Sequence, residues 1–298
     1  MRIAFLGLGR MGQELVKNLL DQTDHDLVLW NRSAGKLALF KGTRAHLADS
    51  AASAVDRADL VLTCLFGPDA VRQVVMDPGL LTAGDRWCDI STIGPVMAAQ
   101  AASWAETRGI DYVHSPVLGS LGPAAARDLG VLIGGASAAA RAQVRPVVSV
   151  WADPQRIVEY DSAAKAASGK LIVNYGLAVG MQAIIEAVRV GMAGGLTEDE
   201  AVSLLQLPKT PLSIIANMKG ALLESGDYSA TQFSTNLLAK DVDLMLRLAE
   251  GQATPALTAA FASLEHARRA GCGESDFAAM AGLRPSDPDH ESAPTQVN

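Results

Sequence analysis

The first twenty residues, MRIAFLGLGRMGQELVKNLL, constrain the fold more than any other stretch. Arg2–Leu6 is a short apolar run suited to a strand, and Met11–Leu20 places Leu15, Leu19 and Leu20 at helical spacing. Between them, Gly7, Gly9 and Gly12 fall in the pattern G-x-G-x-x-G. Glycine supplies 27 of 298 residues, so the spacing gains weight only from lying between a strand and a helix. In such a unit Gly7 permits the tight turn, Gly9 lets a pyrophosphate approach the backbone, and Gly12 lets the helix pack on the strand. N–H groups at the helix start then face the anion, with Leu8, Arg10 and Met11 completing the cradle.

A second strand, His25–Trp30, is followed by Asn31-Arg32-Ser33, about 20 residues past the glycines, where a ribose-binding residue is expected. An acidic residue there would bind the 2'-hydroxyl of NAD and repel a 2'-phosphate. Asn31 offers a neutral hydrogen-bonding group and Arg32 a guanidinium suited to phosphate, with Lys36 adding charge nearby. The stretch therefore predicts NADP (NADPH) rather than NAD.

The strand and helix alternation continues. Asp59–Leu65, Arg86–Ile90, Asp111–His114 and Leu129–Gly135 read as strands, with helices over Asp69–Val75 and Pro95–Arg108. This predicts an α/β fold, an N-terminal Rossmann-type doubly wound parallel sheet over 1–162, with ligands at the carboxyl ends of its strands. From Ala163 a long apolar stretch without proline predicts a helix buried on most sides, and further helices are expected over Thr197–Leu205, Ser234–Leu248 and Pro255–Ala270. An all-α C-terminal domain over 163–283 follows the sheet, and the Pro-, Ser- and Asp-rich tail, 284–298, is expected to be flexible.

The net charge of −7 argues against nucleic acid as a partner. No uninterrupted apolar run is expected to span a bilayer, and the start of the chain lacks signal-peptide features, so the expected location is cytoplasmic. Cys64, Cys88 and Cys272 are odd in number and form no C-x-x-C pair, so neither a disulfide framework nor a zinc site is expected. Without a metal, a side chain must polarise the carbonyl of any hydride acceptor. Lys170 and Asn174, four apart, share one helix face. Partial burial in an apolar helix moves a lysine toward neutral titration and suits it to proton exchange. Lys165 competes but has only Gly169 on the following turn. Ser91 and Thr92 follow a strand at its carboxyl end, where they can bind substrate or cap the next helix. Gly119 and Ser120 lie in a loop whose N–H groups could hold a carboxylate. Glu186 and His114 read as structural.

Five segments, GLGRMG, DISTIGP (Asp89–Pro95), SPVLGSLGPAAARDLGVLIGG (Ser115–Gly135), GKLIVN (Gly169–Asn174) and AKD (Ala239–Asp241), occur in the order seen in β-hydroxyacid dehydrogenases. The chain resembles the branch containing 3-hydroxyisobutyrate dehydrogenase, tartronate semialdehyde reductase and glyoxylate or succinic semialdehyde reductase, over nearly all of residues 1–283. The resemblance implies an oxidoreductase acting on a small β-hydroxy acid or its aldehyde, with Lys170 as general acid and base. It implies Ser91, Thr92, Gly119, Ser120, Asn174 and Lys240 as substrate-binding residues. Gly7–Gly12, Asn31, Arg32, Ser33, Leu65, Phe66, Thr92 and Lys240 would contact the cofactor, and a homodimer or homotetramer is expected. Gly169, Gly176 and Gly180 would permit close helix approach in that assembly.

The chain departs from the family pattern D-x-P-V-S-G-G with His114-Ser115-Pro116-Val117-Leu118-Gly119-Ser120. Leu118 replaces a hydroxyl, Arg127 stands where the loop has a later glycine, and Ala164 and Ala166 replace glycines before the lysine. The acid is thereby left open. An imine reductase on the same scaffold and a noncatalytic NADP-binding sensor are the alternatives.

Overall fold

The computed structural model describes residues 1–282; the tail expected to be flexible, 284–298, lies outside the described residues. The strands are β1 (Arg2–Leu6), β2 (Asp26–Trp30), β3 (His46–Leu47), β4 (Leu60–Thr63), β5 (Arg86–Asp89), β6 (Asp111–His114), β7 (Val117–Leu118), β8 (Leu129–Gly134) and β9 (Ala152–Tyr160). The helices are α1 (Arg10–Gln22), α2 (Ala51–Val55), α3 (Pro68–Val71), α4 (Gly94–Glu106), α5 (Leu121–Ala125), α6 (Ala138–Val148), α7 (Ala163–Ala193), α8 (Glu198–Gln206), α9 (Ser213–Ser225), α10 (Thr235–Leu248), α11 (Pro255–Arg269) and α12 (Ala279–Gly282).

The sheet runs β3-β2-β1-β4-β5-β6 in parallel, then β8 with β7, while β9 pairs with β8. This is the doubly wound order of a Rossmann sheet. Period two explains why its strands read as unbroken apolar runs: Ile3, Phe5, Leu27 and Leu29 enter one core layer with Leu15, Leu19 and Val144. Ala4, Leu6 and Val28 enter the opposite layer with Met97, Ala98 and Ala101. Both faces are covered by helices, so there is no polar side to alternate with.

Beyond β6 the sheet is not parallel throughout: β8 runs antiparallel to both β6 and β7. The strand β9 was not anticipated, because most of its residues face solvent and Pro154 interrupts the pattern. The helix expected over Asp69–Val75 is α3 followed by a π-helical turn at Arg72–Met76.

The chain divides into two compact units. The first is Met1–Asn174 with Arg247–Glu250, and the second is Tyr175–Leu246 with the described residues from Gly251 onward. The expected boundary precedes α7, whereas the first turns of α7 belong with the sheet. A Cβ on Gly134 of β8 would lie 2.6 Å from Ala166 Cβ, and one on Gly169 would lie 3.0 Å from Leu132 Cδ1. In the second unit a Cβ on Gly180 would meet the Ile215 side chain of α9. Gly169 and Gly180 thus serve packing within the chain, and only Gly176 of the three glycines has open space around it. Contrary to expectation, α7 is by length and composition apolar enough to cross a bilayer; here Leu171, Ala178, Met181 and Ile184 are buried by protein.

Candidate active site

The glycine turn is closed on two sides and open on the third. Gly7 has φ +107°, and a Cβ there would lie 2.4 Å from the Cys64 carbonyl oxygen. A Cβ on Gly12 would collide with the Gly7 carbonyl at 2.2 Å. A Cβ on Gly9 would meet nothing within 4 Å among the described residues. That open space lies at the start of α1, where Gly9 is the N-cap and no side chain caps the helix. Orphan N–H groups facing such a space fit a dinucleotide pyrophosphate.

Asn31 has a more specific part than the sequence suggests. Its Oδ1 accepts from the Leu8 N–H at 2.8 Å, and its Nδ2 donates to the Ser33 carbonyl at 3.0 Å. Gln13 donates to the Leu8 carbonyl at 3.0 Å. Asn31 therefore shapes the turn, while the exposed Arg32 and Lys36 are the cations at that strand end.

Three strand ends line up beside this turn. Thr63, Asp89 and His114 are direct neighbours across β4, β5 and β6, and none is exposed. Trp87 Nε1 donates to Thr63 Oγ1 at 2.9 Å, and Thr63 Oγ1 donates to Asp89 Oδ1 at 2.7 Å. The same oxygen accepts from the Ser91 N–H at 3.1 Å. Ser91 Oγ in turn accepts from the Leu65 N–H at 2.8 Å, clamping the loop after β4 to the loop after β5. Ser91 is only 2% exposed, so this geometry gives it a positioning part. Thr92 is partly accessible, and Phe66, beyond the clamp, is 57% exposed. Asp89 Oδ2 faces His114 Nδ1 at 3.6 Å, too long for a hydrogen bond.

Burial pushes the Cys64 thiol, at the carboxyl end of β4, up to about 12; Asp89's charge adds to the rise and Lys170's opposes it. Burial, with Asp89, likewise raises Tyr112. Lys170, on the first turns of α7, belongs to the same unit as these strand ends, and its charge acts on the Cys64 thiol. Asn174, one turn further on, is buried. Lys165 is instead held by Asp161 at 2.8 Å in an exposed pair, and this contact lowers the Asp161 carboxyl.

Gly119 has φ +135°, and a Cβ would lie 2.7 Å from Leu129 Cδ2, so the loop needs glycine there. Ser120 is the N-cap residue of α5, without a side-chain capping bond. Leu118 pairs with Gly130 and covers it, a Cβ on Gly130 falling 3.0 Å from Leu118 Cβ. Gly130, Leu132 and Gly134 lie on one face of β8, and Leu132 and Gly134 touch α7, so Leu118 stands on the face that carries α7. In the second unit Lys240 Nζ lies 2.6 Å from Asp241 Oδ1. Sequence reasoning missed the Thr63, Asp89 and His114 row, although the ends of three consecutive predicted strands marked it.

A doubly wound sheet with an open glycine turn at the carboxyl end of its first strand defines a dinucleotide-binding scaffold. Residues 2–170 match the family model for the NAD binding domain of 6-phosphogluconate dehydrogenase, and residues 164–284 match that for the NAD-binding of NADP-dependent 3-hydroxyisobutyrate dehydrogenase. The chain belongs to the β-hydroxyacid dehydrogenase family. Glyoxylate/succinic semialdehyde reductase 1 of Arabidopsis thaliana is 27% identical over 286 residues, 94% of this chain and 97% of that protein. Cytokine-like nuclear factor N-PAC of Anopheles gambiae is 26% identical over 94% of this chain, which spans only 50% of that relative's length. The structure of Psf3 in complex with NADP+ and 2-OPP shares 25% identity at a TM-score of 0.83, covering 94% of this chain and 99% of that one. Imine reductases and reductive aminases, at 19–22% identity, share the fold alone.

Proposed function

We propose that the protein is an NADP-dependent oxidoreductase interconverting a small β-hydroxy acid and its aldehyde or keto acid. The observation that supports this reading is the glycine turn, with no room for a Cβ at Gly7 or Gly12 and open space at Gly9, in one unit with Lys170 and Asn174 on the first turns of α7. The bound nicotinamide supplies or accepts the hydride. The chain's residues do the rest. N–H groups of the Gly7–Gly12 turn hold the pyrophosphate, and Arg32 with Lys36 meets the 2'-phosphate. Lys170 donates a proton to the substrate oxygen during reduction and removes it during oxidation, its positive charge stabilising the developing alkoxide. Asn174, Thr92 and the N–H groups of Gly119 and Ser120 hold the substrate in this reading, the amides taking its carboxylate. A share for Lys240 rests on family resemblance.

The exposed Ile172, Val173, Tyr175 and Val190 of α7 support a homodimer or homotetramer, since such apolar surface is normally covered. A second reading, imine reduction, is favoured by Leu118, which puts an apolar surface where an acid-specific hydroxyl is expected. The N-PAC relatives keep a third, a noncatalytic NADP-binding sensor, in view.

The test is a panel of small aldehydes, hydroxy acids and cyclic imines, followed by nicotinamide absorbance with NADPH and NADH in parallel. Turnover of an aldehyde or hydroxy acid with NADP(H) is expected. Turnover of imines alone, binding without turnover, or preference for NADH would each displace the proposal. An Arg32→Gln variant should weaken NADPH about tenfold and leave NADH unchanged, the scale of one charge-assisted hydrogen bond.

A further inference from the structure

Asp89 is a fully buried carboxylate whose two oxygens are treated differently. Oδ1 accepts from Thr63 Oγ1 and the Ser91 N–H. Among the described residues Oδ2 accepts no hydrogen bond, and His114 Nδ1 stands 3.6 Å from it. Both nitrogens of His114 are buried and, among the described residues, equally without hydrogen bonds. Leaving such groups unmatched in the interior costs about 1–3 kcal/mol each, more for a charged one. The two residues face one another across adjacent strands. Asp89 in turn fixes the Ser91 backbone, and Ser91 Oγ fixes the Leu65 backbone. A continuous line of contacts thus runs from His114 on β6 to the loop after β4.

We propose that His114 is a positioning residue: by presenting its Nδ1 side to Asp89, it holds the Ser91–Leu65 clamp in the geometry that receives the nicotinamide dinucleotide. The inference rests on the functional reading above and adds a residue to it.

Two polar replacements separate this role from general stabilisation. Asn places a donor near the position of imidazole Nδ1, and Gln places one near Nε2. With purified full-length protein at a temperature where every variant is folded, His114→Asn should bind NADPH within about threefold of wild type. His114→Gln should bind about tenfold more weakly, a change of about 1.4 kcal/mol. In the protein without cofactor, Leu65 amide hydrogen exchange should be faster in His114→Gln than in His114→Asn. Equal affinities and equal exchange in the two variants would overturn the proposal, as would losses that follow their melting temperatures rather than the donor position. Should His114→Gln not fold, Ser91→Ala, which removes the clamp's acceptor, must reproduce both changes for the proposal to stand. A wild-type protein that binds neither NADPH nor NADH would overturn the functional reading and this inference with it. Wild-type binding with no difference between variants would overturn this inference alone.

Discussion

Each unit buries an acid beside a base, and the two pairs are finished differently. In the second unit Lys219 Nζ lies 2.9 Å from Oδ1 of Asp276 and 2.9 Å from Oδ2, at 1% and 0% exposure. The Gln232, Phe233 and Ala278 N–H groups complete the carboxylate, and the Lys219 ammonium also sits 4.4 Å from the Phe277 ring centroid. In the first unit Asp89 and His114 stand 3.6 Å apart with unmatched atoms on both. The first arrangement saturates its charges and joins α9 to the segments before α10 and α12. The second leaves polar capacity unused, and it does so at the carboxyl ends of the strands, where α/β ligands bind. A saturated pair acts as a staple; unmatched buried groups belong to a place shaped for something other than stability.

The sharpest way to break the comparison is Lys219→Met. It keeps the volume and removes the cation, stranding a carboxylate at 0% exposure. Removing one partner of a buried pair costs about 3–5 kcal/mol. Urea denaturation should show a loss of that size; a loss below about 1 kcal/mol would mean that the pair is no staple. Lys170→Ala probes the other unit and should invert the outcome. Stability should change little, while turnover falls by roughly a hundredfold or more with NADPH affinity within a few fold of wild type. Lys165→Ala is the control, since that side chain is committed to exposed Asp161. Activity of Lys170→Ala near that of Lys165→Ala would remove Lys170 from the mechanism.

Much of this contrast lay in the sequence on one side only. The β1, glycine turn and α1 unit was readable because each glycine meets a local demand: Gly7 a positive φ, Gly12 a close approach, Gly9 an open space. Lys170 and Asn174 were readable because four residues is one helical turn. Asp276 was not, since its five contacts come from residues 219, 232, 233 and 278, and no local spacing encodes them. Asn31 was half legible. Its place after β2 marked it, but its bond to Leu8 depends on the depth of the turn. His114 looked structural because a lone histidine gives no partner; the β5–β6 register supplies Asp89.

The smallest expected effect concerns Arg127, one of the departures from the family pattern. It adopts φ +58°, the left-handed region that its glycine counterpart occupies freely. A non-glycine residue there costs roughly 1–2 kcal/mol. Part of this is offset by the contact of Arg127 Nη1 with Gln22 Oε1 at 2.7 Å, which ties the loop to the end of α1, but the pair is exposed. Exposed polar contacts of this kind contribute little, and glycine also raises the entropy of the unfolded chain by about 0.4–1 kcal/mol. Arg127→Gly should therefore stabilise the first unit slightly, by about 0.5 kcal/mol, whereas Arg127→Ala keeps the strain, loses Gln22 and should destabilise it by a similar amount. Opposite signs in parallel denaturant titrations would make this departure a surface exchange that the backbone was already shaped to accept, unlike the buried exchange at His114. Equal losses would show that the Gln22 tie outweighs the left-handed strain.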